Sequence, residues 1–236
     1  MTQGGVIPRS LTRGAYHAAF AREFRMRLRT ALLVAIIPAA TLVGASAFAA
    51  DAQCPATWPA QPAAAVAHIN EVNRGLGIQA DYAAKHNLVP LPEGKHLVQV
   101  QRDVYGRKVE MVAPAAAALK RMFAAAARDG VKLETVSAFR SVAYQTGLIR
   151  RKLKRGMSIQ KALTINAVPG YSEHQTGCAI DLTAPGVPAA DGSFANSKAF
   201  AWLQRHGAQF GFHLSFPPDN KYGYEYEPWH WRYIAR

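Results

Sequence analysis

Two stretches that lie far apart in the chain, SEHQTGCAIDL (172–182) and EPWHWRYI (227–234), constrain the fold more than any average property does. As a strand, AIDL points Asp181 and Ala179 to one face and Ile180 and Leu182 to the other. Asp181 is then either exposed or part of a site. His174 lies seven residues earlier, an odd separation that would put it on the opposite face of one continuous strand. To meet Asp181 it must sit in a loop ahead of the strand, and Pro169-Gly170 and Gly177 provide the loop and the bend. At this point two readings stand: an ordinary loop entering a strand, or half of a metal site.

The second stretch bears on that choice. Read as a strand over 229–234, it sets Trp229 and Trp231 on one face and His230 and Arg232 on the other. Glu227 precedes His230 by three residues, and Pro228 between them interrupts the strand so that the carboxylate approaches from the side. Two imidazoles and a carboxylate suit Zn²⁺ as three protein ligands, with the fourth position left to water, as a catalytic site requires. Glu227 would then be the base for that water. A lone histidine on a strand is more often packed or solvated than a ligand; the joint pattern of His174, Asp181, Glu227 and His230 is what favours a site.

The elements around these motifs are mixed. LVQVQR (97–102) and RKVEMV (107–112) alternate apolar and polar residues around DVYG, the pattern of a hairpin. Pro114 suits a first helical turn, Leu119, Met122, Phe123 and Ala126 recur at helical spacing, and Gly130 closes that helix. KLETVSAF (132–139) reads as a strand. Ser141, Ser158 and Ser197 are candidate N-caps of helices running to about Arg155, to Asn166 and to the stop at Gly207. Residues 63–87 read as helical with glycine interruptions. Without regular strand-helix-strand alternation, the expected class is α+β, a small antiparallel sheet flanked by helices.

The first fifty residues differ. Arg22, Arg25, Arg27 and Arg29 precede the uncharged run 30–50, which ends Ala47-Phe48-Ala49: basic region, apolar region, small residues at a cleavage site. Residues 1–49 therefore read as an export leader, with 1–25 an extended basic region or an overlong start ahead of Met26. A membrane anchor is the competing reading, but the strongly apolar part is only Leu32 to Ile37 and Pro38 follows it. Residues 50–94 form a lead-in with a helical segment, and 95–236 the main domain.

The leader holds six of the 28 basic residues and one of the 15 acidic ones, which leaves a net charge of +8. The positives are scattered and only RRKLKR (150–155) is dense, so nucleic acid is not expected as a partner, whereas an anionic envelope surface is compatible. The two cysteines, Cys54 and Cys178, both lie after the leader. A disulfide between them is open, since pairing requires Cα atoms within about 7 Å.

Ser172-x-His174-x-x-Gly177-x-Ala179-x-Asp181 followed by Glu227-x-x-His230 resembles the signature of the VanY-type zinc D-alanyl-D-alanine carboxypeptidases. These belong to a larger group with the lysostaphin-type peptidases and the hedgehog signalling domain. SAFRS (137–141) with Gln145 resembles a further block in the same order, so the resemblance spans about 95–236. It implies one Zn²⁺ per chain held by His174, Asp181 and His230, with Glu227 as catalytic base. It implies Arg140 near the scissile carbonyl or the substrate carboxylate, and Ser172 and Gln145 as substrate-holding residues.

The expectation is an exported, monomeric peptidase that removes terminal D-alanine from peptidoglycan stem peptides in the periplasm or cell envelope. A wall endopeptidase and a non-catalytic zinc-containing binding module are its rivals. Glu227 and Arg140 together disfavour the last.

Overall fold

The computed structural model describes residues 53–235, so the expected leader lies outside the described residues. Pro62 ends an irregular lead-in, and helix α1 (Ala63–Arg74) starts directly after it. The helical stretch expected over 63–87 is broken by Gly75 and by Gly77, which adopts φ +78°, and resumes only as the single turn α2 (Tyr82–Lys85).

Strands β1 (Leu97–Arg102) and β2 (Lys108–Val112) pair as the expected antiparallel hairpin. Asp103 organises its turn by accepting hydrogen bonds from the backbone N–H groups of Tyr105 and Arg107 at 2.9 and 2.8 Å. Helix α3 (Ala113–Arg128) follows with proline in its first turn, burying Ala115, Leu119, Met122 and Ala126 along one side.

Strand β3 (Glu134–Ser137) is shorter than the 132–139 expected. Ser141 caps helix α4 (Val142–Lys154), its hydroxyl accepting from Tyr144 N at 3.0 Å, and Ser158 caps α5 (Ile159–Thr164) by accepting from Lys161 N at 3.2 Å. After strand β4 (Ala179–Thr183), Ser197 caps helix α6 (Lys198–His206) in the same way. Strand β5 (Phe212–Leu214) was not anticipated, because three residues after a glycine are too few to display an alternation. Strand β6 (His230–Tyr233) closes the fold.

The main sheet has the order β3-β4-β6-β5 with all neighbours antiparallel, which establishes the α+β class. All five residues of β4 are buried, because it lies inside the sheet and is covered on both faces. Leu119 and Met122 of α3, Leu203 of α6 and Ile180, Leu182 and Trp231 of the sheet share one core. Each fully buried side chain of this kind contributes roughly 1.5–3 kcal/mol over its exposed state, so this layer holds the sheet in place. A second cluster joins Ile69 of α1, Ile149 of α4 and Leu163 of α5.

The strand expected over 229–234 begins one residue later, at His230. Trp229 therefore does not pair with Trp231 as a second anchor on one strand face. Trp231 is buried with its indole N–H donating to Pro228 O at 3.0 Å, whereas Trp229 sits in the turn ahead and lines a cleft. Among the described residues no helix is long and apolar enough to cross a membrane.

Candidate metal centre and active-site cleft

The register of the sheet builds the site. Asp181 of β4 pairs with His230 of β6 on one side and with Ser137 of β3 on the other. Directly opposed residues bring their side chains to within a few ångströms, so the carboxylate and one imidazole are neighbours by topology.

His174 comes from a 3-10 turn, Glu173–Thr176, that precedes β4. Gly177 ends that turn at φ +74°, and a β-carbon there would meet Leu97 Cδ2 at 2.8 Å and Val112 N at 3.2 Å. Glycine is needed at this bend both for its conformation and for the close approach of the hairpin. The bend brings His174 back over Asp181, the loop geometry expected for it.

His174 Nε2 and His230 Nδ1 each lie 3.1 Å from the same oxygen of Asp181, and one ligand atom from each of the three residues falls within 4.8 Å of the others. All three side chains are buried, with 1%, 6% and 2% exposure for His174, Asp181 and His230. The remaining ring nitrogens are occupied: His174 Nδ1 lies 2.7 Å from Ala138 O and His230 Nε2 lies 2.9 Å from Glu173 Oε2. An N–H is required at both of those contacts, which leaves two imidazole lone pairs facing a carboxylate oxygen. Three acceptors converging on one buried point call for a cation, and two nitrogens with one carboxylate oxygen suit a divalent metal such as zinc.

The electrostatics agree. Burial opposes charge on Asp181, but His174, His230 and Arg140 together hold its carboxyl well below the ordinary range. Burial, with the Arg140 guanidinium nearby, lowers His174 to about 4. Burial also opposes charge on His230, yet hydrogen bonds to Asp181 and Glu173 outweigh it and raise the imidazole to about 10. Without a metal, that proton on Nδ1 takes the place a cation would occupy, and the Nδ1 lone pair faces the carboxylate only once the proton has left.

Glu227 reaches the same centre from a turn. His230 N donates to Glu227 O at 3.1 Å and Leu182 N to Trp229 O at 2.9 Å, which folds Glu227-Pro228-Trp229 over the end of β4. Glu227 Oε2 lies 4.0 Å from His230 Nδ1, and burial pushes its carboxyl up to about 7. Arg140 stands where β3 passes into α4, its backbone N–H donating to His174 O at 3.2 Å and its Nη2 lying 3.7 Å from Asp181 Oδ2.

A cleft of about 410 Å³ opens over these groups and also takes in Gln145, Ser172 and Trp229. Gln145 is buried and donates from Nε2 to Ala167 O at 2.8 Å. Ser172 is buried at the start of the 3-10 turn but caps none of its N–H groups. Every residue expected in the site thus lies at this one cleft.

Sequence reasoning missed Glu173, which holds His230 and lies 3.5 Å from the Arg232 guanidinium. Its signal was an acid adjacent to one candidate ligand, with an arginine two residues beyond the other. Lys152 and Tyr224, which also line the cleft, carry no such signal.

The sheet and the turn ahead of β4 together bring two imidazoles and a carboxylate to one cleft, with a second carboxylate and a guanidinium beside them, a donor set suited to holding a metal ion and activating water. A family model described as VanY, D-alanyl-D-alanine carboxypeptidase, matches residues 108–236, more than half of the chain, and the chain belongs to that family.

Among characterised sequences, YodJ of Bacillus subtilis (strain 168), assigned provisionally by name to the carboxypeptidases, is 33% identical over 70% of this chain and 59% of its own length. A D-alanyl-D-alanine carboxypeptidase of Enterococcus faecalis (strain ATCC 700802 / V583) is 31% identical over 62% of this chain and 55% of its own. The chain thus spans less than two thirds of the length of these curated relatives. Among solved structures, the LD-carboxypeptidase LdcB superposes with a TM-score of 0.56 and 32% identity, covering 62% of this chain and 72% of that one.

Proposed function

We propose that this chain is an exported zinc carboxypeptidase that removes the terminal D-alanine from peptidoglycan stem peptides. The observation that carries the reading is the convergence of His174, Asp181 and His230 on one buried point, with Glu227 and Arg140 at the same cleft. Family membership supports the D-alanyl-D-alanine bond as substrate. The Cys54–Cys178 disulfide, formed at a Cα separation of 5.9 Å, and the leader pattern of residues 1–49 support export.

When bound by these three residues, zinc would polarise the scissile carbonyl and lower the pKa of a coordinated water to about 7. The chain supplies the rest. Glu227, raised by its burial into the range where it both accepts and releases a proton near neutrality, takes the proton of the attacking water and delivers it to the leaving amine. Arg140 offers its guanidinium to the oxygen that gains charge as the carbonyl carbon becomes tetrahedral. Ser172 and Gln145 line the cleft where the peptide would be held. No side chain needs to form a covalent bond to the substrate.

A second reading shares this chemistry and differs in the bond. The similarity to LdcB supports cleavage between an L-residue and a terminal D-alanine. The two are separated by assaying residues 53–236 with zinc on a peptide ending in D-Ala-D-Ala and on one ending in L-Lys-D-Ala, with released D-alanine measured. Release from the first supports the D,D reading and release from the second alone the L,D reading. Release from neither, under conditions where zinc is bound, refutes the carboxypeptidase proposal.

A further inference from the structure

Lys152 stands apart from the basic run that contains it. Arg150, Arg151, Lys154 and Arg155 are exposed, whereas Lys152 is half-buried and lines the cleft. It lies seven residues, about two helical turns, beyond Gln145, so the two side chains share the face of α4 that is turned to the site.

No ion pair to Lys152 forms among the described residues, and the cleft's other carboxylates are engaged. Glu225 lies 3.8 Å from Lys161, Glu173 is held by His230 and Arg232, and Asp181 and Glu227 belong to the metal end. Burial, together with the like charges of Arg140 and Arg155, lowers the Lys152 ammonium below its ordinary pKa.

Two more polar atoms bordering this space are buried without a partner, Arg140 Nε and Gln145 Oε1. Lys152 and Arg140 thus bring two cations to the lining of a cleft whose carboxylates already have partners, and Arg140 Nε adds a donor with none. An uncompensated, partly desolvated ammonium facing a cleft is costly unless an anion enters.

We propose that Lys152 is the carboxylate clamp of this cleft, receiving a free carboxylate of the peptide whose scissile amide lies at the metal end. The assignment rests on the peptidase reading and deepens it by dividing two cationic roles. Arg140, beside Asp181, serves the scissile carbonyl, while Lys152 measures how far a carboxylate lies from it, a requirement that an enzyme cutting inside longer chains would not have. The carboxylate can be that of the terminal residue or that of an acidic side chain next to the scissile bond.

The test compares wild type, Lys152→Ala and Lys152→Arg, all zinc-loaded, on three peptides: a free acid with an acidic side chain beside the bond, its C-terminal amide, and its side-chain amide. Affinities for the same peptides are measured by calorimetry in the Glu227→Gln background. Lys152→Ala is expected to lose about ten- to a hundredfold in kcat/KM on the free acid, mainly through KM, as when one partner of a charged hydrogen bond is removed. Lys152→Arg should recover most of that loss.

Collapse of the wild-type preference for the free acid over the C-terminal amide identifies the terminal carboxylate. Collapse of the preference over the side-chain amide identifies the other source. If both preferences survive in Lys152→Ala, in turnover and in affinity, the clamp is overturned while the peptidase reading stands. If wild type hydrolyses none of the three, the peptidase reading falls and the clamp falls with it.

Discussion

Asp181 and His230 face each other directly across β4 and β6, and the Asp181 oxygen that meets His230 Nδ1 at 3.1 Å meets His174 Nε2 at the same distance. A buried carboxylate between two imidazoles gains from a shared cation, so a metal bound here would couple to folding stability. Zinc at a thousand times its Kd would add about 4 kcal/mol, or roughly 10 °C in Tm for a domain of this size. Chelation of the purified protein should lower Tm by that order and zinc should restore it. Asp181→Asn should show a Tm that responds to neither and should retain no stoichiometric metal after dialysis, as measured by elemental emission. A chelator-insensitive wild type would remove the metal from the argument.

Glu227 differs from the three proposed ligands in charge behaviour, and from two of them in position. Unlike Asp181 and His230 it comes from a turn and not from the sheet, and burial raises its carboxyl to about 7 where Asp181 is held low. Glu227→Gln keeps the shape and removes the proton acceptor. Metal content should be unchanged, while kcat falls by about 10²- to 10⁴-fold, the range of general-base contributions. Wild-type turnover in that variant would show that another group handles the proton.

Glu173 lines the cleft and holds His230, accepting from Nε2 at 2.9 Å, with the Arg232 guanidinium 3.5 Å from its other oxygen. A carboxylate behind a ligating imidazole fixes the ring's tautomer and strengthens it as a ligand, and loss of such a partner typically costs about 10- to 100-fold in metal affinity. Glu173→Gln should therefore weaken zinc binding by that factor in a chelator competition while the far-ultraviolet circular dichroism stays unchanged. Equal affinity in the two proteins would reduce Glu173 to a packing role.

How much of this was legible in the sequence follows from what each feature depends on. The caps at Ser141, Ser158 and Ser197, the β1-β2 hairpin and the bend at Gly177 are local, so residue type and spacing suffice to find them. Asp181 and His230 were legible because AIDL and WHWRY set polar groups on one face of an apolar strand pattern, and His174 because Gly177 offers the bend that returns its loop to Asp181. Strand β5 is too short to show a period, and Trp229 belongs to a turn whose boundary depends on backbone contacts to Phe216 and Leu182. Glu173 and Lys152 owe their roles to neighbours 57 residues away in the first case and, in the second, to the direction in which one helix face is turned. Nothing in the adjacent sequence marks Lys152, and for Glu173 only its place beside His174 does.

The Cys54–Cys178 disulfide reaches the site by a route that sequence left open. Cys178 lies between His174 and Asp181, and the bond ties it to the lead-in across 124 residues of chain. The Arg232 guanidinium donates to Pro55 O, next to Cys54, and lies 3.5 Å from Glu173, so the cross-link anchors the strand of charged groups that ends on His230. Closing a loop of this length stabilises by roughly 2–5 kcal/mol, chiefly through the unfolded chain. Reduction should lower the urea midpoint by about 1 to 2 M, and Cys54→Ser/Cys178→Ser should reproduce that shift and then be insensitive to reductant. Thiol titration of the unreduced, denatured protein should find no free cysteine, because a free pair would leave the lead-in untethered and the stability difference would vanish.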